Sequence, residues 1–115
     1  MLESLNNARL LLESFATDPL NSEAIDAIAT MLAHRFREGS KVLICGNGGS
    51  LADAVHFAEE LTGRFRADRP PLPAIAIAEP GHITCTANDY GFDHVFSRAV
   101  EALGKPGDAL ILLST

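Results

Sequence analysis

Apolar positions along this chain fall into helical and strand-like groups that alternate from end to end. Leu2, Leu5, Leu12 and Phe15, with Ala8 and Leu11 beside them, repeat at helical spacing and predict a helix over about residues 2–16. The run Leu10-Leu11-Leu12 makes that helix apolar on more than one side. Such a stripe predicts a helix shared with another subunit, burial in the chain's own core being the alternative. Asp18-Pro19 ends it, because the residue before a proline is driven out of the helical region. A second helix carries Ile25, Ile28, Ala29, Leu32 and Phe36 on one face, with Asn21 or Ser22 as its expected cap and Glu23 in its first turn. His34, Arg35 and Arg37 lie away from that stripe near the C-terminal end, and Gly39 is the expected left-handed stop.

The pattern then changes period. Val42 to Cys45 is an apolar run of strand length, followed by the turn Gly46-Asn47-Gly48-Gly49-Ser50 and a further helix reaching Arg64. Arg69-Pro70-Pro71-Leu72-Pro73 is a stiff connection that cannot join a ladder interior. Ala74 to Ala78 predicts a second buried strand, ended by Glu79-Pro80-Gly81. A short helix is expected over His82 to Asn88, then a turn at Asn88-Asp89-Tyr90-Gly91. Phe92, Val95, Phe96, Ala99, Val100 and Leu103 mark an amphipathic helix, and Ala109 to Leu113 a third strand. Strands separated by helices imply parallel pairing through crossovers. The predicted fold is therefore α/β: two N-terminal helices over residues 1–39, then a βαβαβ unit over 41–115, in one domain. Its parallel sheet is doubly wound, with about three strands here. The third strand delivers Ser114 and Thr115 to the edge where this architecture binds ligands, so the chain reads as truncated at its C-terminus.

Composition narrows the class without choosing a function. The 115 residues carry a net charge of −6, which argues against a nucleic-acid partner. No apolar stretch approaches the roughly 20 residues that span a bilayer, so no membrane partner is expected. Two cysteines without a pairing pattern suit a reducing compartment, and a cytoplasmic location is expected.

The strand, glycine-rich turn and helix start together form an anion cradle, since glycines let backbone N–H groups approach a ligand and a helix N-terminus favours negative charge. A plain tight turn with Ser50 as N-cap is the structural alternative. A Walker loop would need Gly-Lys-Ser or Gly-Lys-Thr, which is missing, and a dinucleotide fingerprint would need glycine where Leu51 stands. Glu79, a candidate ribose-binding acid, falls about ten residues later than that fingerprint expects. A compact sugar phosphate fits better, held by Ser50, helix-start amides, Ser114 and Thr115. Steps of about 100° put Leu51, Ala54, Val55, Ala58, Leu61 and Phe65 on one side of the helix and Asp53, His56, Glu60 and Arg64 on the other. His56 and Glu60, at i and i+4, can reach one ion or one substrate, or they belong to a solvated face with Glu60 paired to Arg64. Two ligands do not complete a zinc site. His82 and Cys85 are expected to be buried or capping residues. Asn88-Asp89 is either a turn or a pair of polar groups beside sugar hydroxyls.

At CGNGGSLADAVHFAEELTGRF, PAIAIA, HITCTANDYGFDHVFSR and GDALILLST the chain closely resembles the bacterial phosphoheptose isomerases of the sugar-isomerase (SIS) domain superfamily. The resemblance covers essentially the whole chain, and HFAEELTGR and NDYGF are its most specific parts. It implies conversion of sedoheptulose 7-phosphate to D-glycero-D-manno-heptose 7-phosphate through an enediol or enediolate, the first step towards nucleotide-activated heptose for surface polysaccharide. It implies a cytoplasmic homotetramer with active sites at subunit interfaces. Asn47, Gly48 and Gly49 match substrate contacts, Ser50 a phosphate-loop serine, and Asn88 and Asp89 sugar contacts. Ser114 and Thr115 match the opening of the phosphate loop. His56 and Glu60 match zinc ligands, one zinc per subunit, and Glu60 also matches substrate-binding and catalytic acid/base positions. The rest of the phosphate loop, and the Gln and His that complete the zinc and catalytic site, are expected beyond Thr115. By the same resemblance a non-catalytic alternative exists, the DnaA initiator-associating protein, which has a small residue where Glu60 stands. A sugar-phosphate sensor domain ranks last, for want of a helix-turn-helix segment or basic patch.

Overall fold

The computed structural model describes residues 1–115 and divides into two compact units, Met1–His34 and Arg35–Thr115. The first unit holds α1 (Leu2–Thr17) and most of α2 (Pro19–Arg37). Helix α1 ends at Asp18, which is extended, as the Asp-Pro pair requires. The second helix begins earlier than expected. Pro19 occupies its first position, where a missing N–H is harmless, and Asp18 accepts a bond from the Leu20 amide at 2.9 Å. Asn21 is therefore not the cap; its side chain donates to the Phe15 carbonyl at 3.0 Å. No side chain of α1 is buried, and Leu2, Leu11 and Leu12 are 80%, 73% and 68% exposed. Monomeric soluble proteins rarely leave an apolar stripe open to this extent.

The second unit is built on a three-stranded parallel sheet ordered β2-β1-β3, with β1 at Val42–Gly46, β2 at Ala74–Ala76 and β3 at Ala109–Leu113. Strand β1 is central and buried along its whole length. A strand covered on both faces needs apolar residues at successive positions, and Val-Leu-Ile-Cys supplies them. Helix α3 (Gly49–Thr62) packs on β1 and β2 and buries Ala54 and Ala58. Across the sheet, Leu43, Cys45 and Ile77 cluster with Ala99 of α5 (Val95–Leu103), and Phe96 and Val100 pack against them. Helices thus cover both faces, the doubly wound arrangement. Strand β2 is shorter than the apolar run that predicts it, although Ile77 still donates to Ile44 O at 2.8 Å.

Helix α4 runs from Pro80 to Tyr90, longer at both ends than its sequence pattern suggests. Glu79 supplies the reason at its start: its carboxylate accepts from the Gly81 amide at 2.9 Å and from the His82 amide, capping the helix with Pro80 inside. Those bonds, Gly81 first, hold the Glu79 carboxyl below the usual range. Glu79 is a cap and has no free carboxylate to offer a ribose. The turn comes at Gly91, with φ +95°, and a single 3-10 turn over Phe92–His94 leads into α5. Helix α2 stops as expected, with Gly39 at φ +78°.

At the opposite edge of the sheet, Asp108 ties the starts of β1 and β3 together. It accepts from the Lys41 amide at 2.9 Å and the Lys105 amide at 2.8 Å, and it pairs with the Lys41 ammonium. The Lys41 side chain, then its amide, holds the Asp108 carboxyl down at about 2. A depressed carboxylate contributes stability above its unfolded value, near pH 4, and loses it as pH falls through about 2. Asp108→Asn is expected to lower the urea midpoint at pH 7 with an unchanged m value. The gap to wild type should close between about pH 4 and pH 2, and a gap that persists at pH 2 would refute the assignment.

Candidate active site

Strand β1 ends in a residue that has to be glycine. A Cβ on Gly46 would lie 2.7 Å from the Ser50 Cβ, 2.8 Å from the Leu113 carbonyl oxygen and 2.9 Å from the Ser50 carbonyl carbon. The first turn of α3 therefore folds back onto the ends of β1 and β3, and Gly46 pairs in register with Leu113. Residues 47–50 and 114–115 consequently leave the sheet side by side at its carboxyl edge. Gly48 takes φ +57°, a conformation other residues rarely adopt, and stands at the N-cap of α3 without a side-chain capping bond. Ser50 lies inside the helix rather than at its cap, with its amide bonded to Asn47 O at 3.0 Å. Asn47, Gly48 and Gly49 are exposed at the rim. The Leu51 amide is likewise bonded, to Gly48 O at 3.1 Å, so the Gly49 amide heads a helix whose dipole favours an anion.

About two and three turns further along α3 stand His56 and Glu60. His56 Nε2 lies 3.3 Å from Glu60 Oε1 and 3.7 Å from Glu59 Oε1. Glu60 pairs with His56, not with Arg64. Glu60 is half-buried while His56 is open, and both line a cleft of about 610 Å³ with Asp53, Phe57, Leu61, Phe65 and Arg69. Donor atoms of His56, Glu59 and Glu60 all fall within 4.8 Å of one another. Zinc takes imidazole and carboxylate ligands at about 2.0–2.2 Å, so two tetrahedral ligands sit about 3.4 Å apart. The His56–Glu60 separation of 3.3 Å suits a shared ion, and the donor types suit zinc.

The sheet edge thus gathers Asn47, Gly48, Gly49, Ser50, Ser114 and Thr115, and α3 gathers His56 and Glu60. Asn88 and Asp89 lie on the last turn of α4, about 12 Å along that helix from its start. There the Asn88 amide donates to Asp89 Oδ1 at 2.9 Å, and the Cys85 thiol to Asp89 Oδ2 at 3.4 Å. The pair is helical and exposed, not a turn. Cys85 is exposed too, contrary to the expected burial, and the Asp89 bond raises its thiol. His82 is half-buried as expected, its Nε2 2.9 Å from Val95 O. Phe57 and Arg69 join the cleft, and Glu59 joins the donor group of His56 and Glu60, without having been singled out by helical spacing, which ranks residues by face and not by reach.

A profile of the SIS domain family matches residues 5–115. Phosphoheptose isomerases from Enterobacter sp. (strain 638) and Salmonella newport are each 55% identical over 111 residues, 96% of this chain and 58% of theirs. The chain thus spans little more than half the length of these curated relatives. Among solved structures, phosphoheptose isomerase GmhA from Neisseria gonorrhoeae superposes with a TM-score of 0.75 at 37% identity, covering 100% of this chain and 61% of that one. A phosphoheptose isomerase from Francisella tularensis gives 0.79 at 36% identity, covering 97% and 62%.

Proposed function

The chain belongs to the SIS domain family, and from that premise we propose that the protein built on it isomerises a phosphorylated ketose, sedoheptulose 7-phosphate, to the aldose D-glycero-D-manno-heptose 7-phosphate. The observation that carries the reading is a half-buried carboxylate, Glu60, facing His56 in a cleft on the helix that follows a phosphate-type turn. Relatives that are 55% identical bear the name phosphoheptose isomerase. Glu60 also speaks against the non-catalytic alternative, whose family has a small residue at that position.

The substrate phosphate would sit on the α3 N-terminus, bonded by the Gly49 amide and by the hydroxyls of Ser50, Ser114 and Thr115. Asn47, Gly48 and Gly49 would contact the sugar, and Asn88 and Asp89, which match sugar contacts by resemblance, would reach it from the last turn of α4. Moving the carbonyl from C2 to C1 needs one carbon-bound proton carried between neighbouring carbons. Glu60 takes a proton from C1 while the C2 oxygen gains one from the histidine that the resemblance gives as its partner acid, leaving the enediol. Glu60 then returns a proton to C2 as the C1 hydroxyl passes its own back to that histidine and becomes the aldehyde. His56 and Glu60 would hold zinc, one ion per subunit with its remaining ligands beyond Thr115, and the ion supplies charge stabilisation to the sugar oxygens or order to the site. The uncovered leucines of α1 support a homo-oligomer, read as a tetramer, and two free thiols suit the cytoplasm. The product would serve nucleotide-activated heptose for surface polysaccharide.

A proton that passes through a carboxylate exchanges with water. Turnover in deuterium oxide by the full-length protein is expected to place deuterium at C2 of the heptose product, read by NMR. Turnover without incorporation would exclude the enediol route, and no turnover at all would exclude the reaction.

A further inference from the structure

Glu60 stands in the last turn of α3, two residues before Thr62 ends the helix. Final turns fray, because their carbonyls lack partners within the helix. A carboxylate that must be held against His56 is poorly served there unless something fixes the helix end. Arg69 does so. Its Nη2 donates to the Glu60 carbonyl at 2.5 Å, and its Nη1 donates to the Leu61 carbonyl at 2.9 Å and the Pro70 carbonyl at 3.0 Å. The neighbouring carbonyls are also taken: Gly63 N bonds Glu59 O at 2.7 Å and Leu72 N bonds Leu61 O at 2.9 Å. The guanidinium is half-buried and lines the same cleft as His56 and Glu60. Its positive charge lies where the helix dipole is negative.

We propose that Arg69 is a positioning residue. It clamps the backbone of Glu60 itself, and so sets where that carboxylate points relative to His56. The inference rests on reading His56 and Glu60 as a metal-holding, proton-carrying pair, and it adds a specific demand for a planar fork. Two successive carbonyls are bridged by the fixed N–H geometry of guanidinium. A lysine ammonium brings the charge without that geometry. The Pro70-Pro71 pair behind Arg69 stiffens the connection from which it reaches back.

The test measures zinc affinity of the full-length protein by competition with a chromophoric chelator, for wild type, Arg69→Lys, Arg69→Met and His56→Ala. Amide hydrogen exchange is followed in parallel without metal. Partners that orient metal ligands typically change affinity about 10–100-fold when removed. Arg69→Met is expected to fall in that range, Arg69→Lys to recover only part of the loss, and exchange to quicken in both at Leu61–Gly63 while β1 stays protected. Wild-type affinity in Arg69→Lys would overturn the fork, and wild-type affinity in Arg69→Met the positioning role. Equal zinc binding by wild type and His56→Ala would instead overturn the site reading. If the wild-type protein binds no zinc, exchange at Leu61–Gly63 decides, and unchanged rates in Arg69→Lys end the proposal. Should Arg69→Met fail to fold, Arg69→Lys decides the matter through both measurements.

Discussion

Glu60→Gln is expected to reduce kcat of the full-length protein by about 10²–10⁴-fold, the usual contribution of a positioned acid/base. The amide is nearly isosteric and keeps an oxygen that can accept a bond, so the helix and the sheet beneath it should be unaffected. What disappears is the ability to take a proton from carbon and give it back. The thermal midpoint should therefore stay close to wild type while turnover collapses, with the loss in kcat rather than KM. The amide is also a weaker zinc ligand, so activity has to be measured across a range of added zinc. A loss fully restored by metal would reassign Glu60 from proton carrier to ligand. Unchanged kcat in Glu60→Gln would remove the assigned role altogether.

Gly46→Ala is expected to destabilise the fold by about 1–3 kcal/mol, the range for forcing extra volume into a packed interior. One methyl group is enough, because its neighbours are two main-chain atoms and the first carbon of a side chain, all inside 3.0 Å. None of them is the free end of a flexible group. To admit the methyl, α3 has to lift from the sheet or β3 has to move away from β1. Either motion separates Ser50 from Ser114 and Thr115, so phosphate affinity should fall along with stability. Urea unfolding at unchanged m value measures the first effect. A midpoint equal to wild type would mean that the turn relaxes freely and the close approach has no structural weight.

The order and type of the five α-helices and three strands were legible along the chain, because period and punctuation are local properties, whereas the 3-10 turn over Phe92–His94 was read as the start of α5. Gly39 and Gly91 stand at turns with positive φ, the role their sequence positions suggest. His56 and Glu60 were legible for the same reason: one helical turn is a local distance. The alternative of Ser50 as a plain cap fails because Gly48 takes that position without any side chain, and glycine gives no signal beyond its permissiveness. Helix α4 was drawn too short because Pro80-Gly81 looks like a turn until Glu79 is seen to cap it. Asn88 and Asp89 were read as a turn because both are turn-forming residues, and the turn comes instead at Gly91.

By itself the sequence determined that this is an α/β unit with two leading helices, a glycine-rich turn after the first strand and a polar helix face behind it. It did so because alternation, helical spacing and turn residues depend only on near neighbours. Tertiary structure decided that β1 lies between β2 and β3, and so brought Ser50 beside Ser114 and Thr115. It decided that Gly46 has no room for a methyl group, and that Arg69 reaches back to the carbonyl of Glu60. Each of these is a contact between segments separated in the chain by a loop or a strand. No local period encodes such a contact, and it exists only once the sheet has closed.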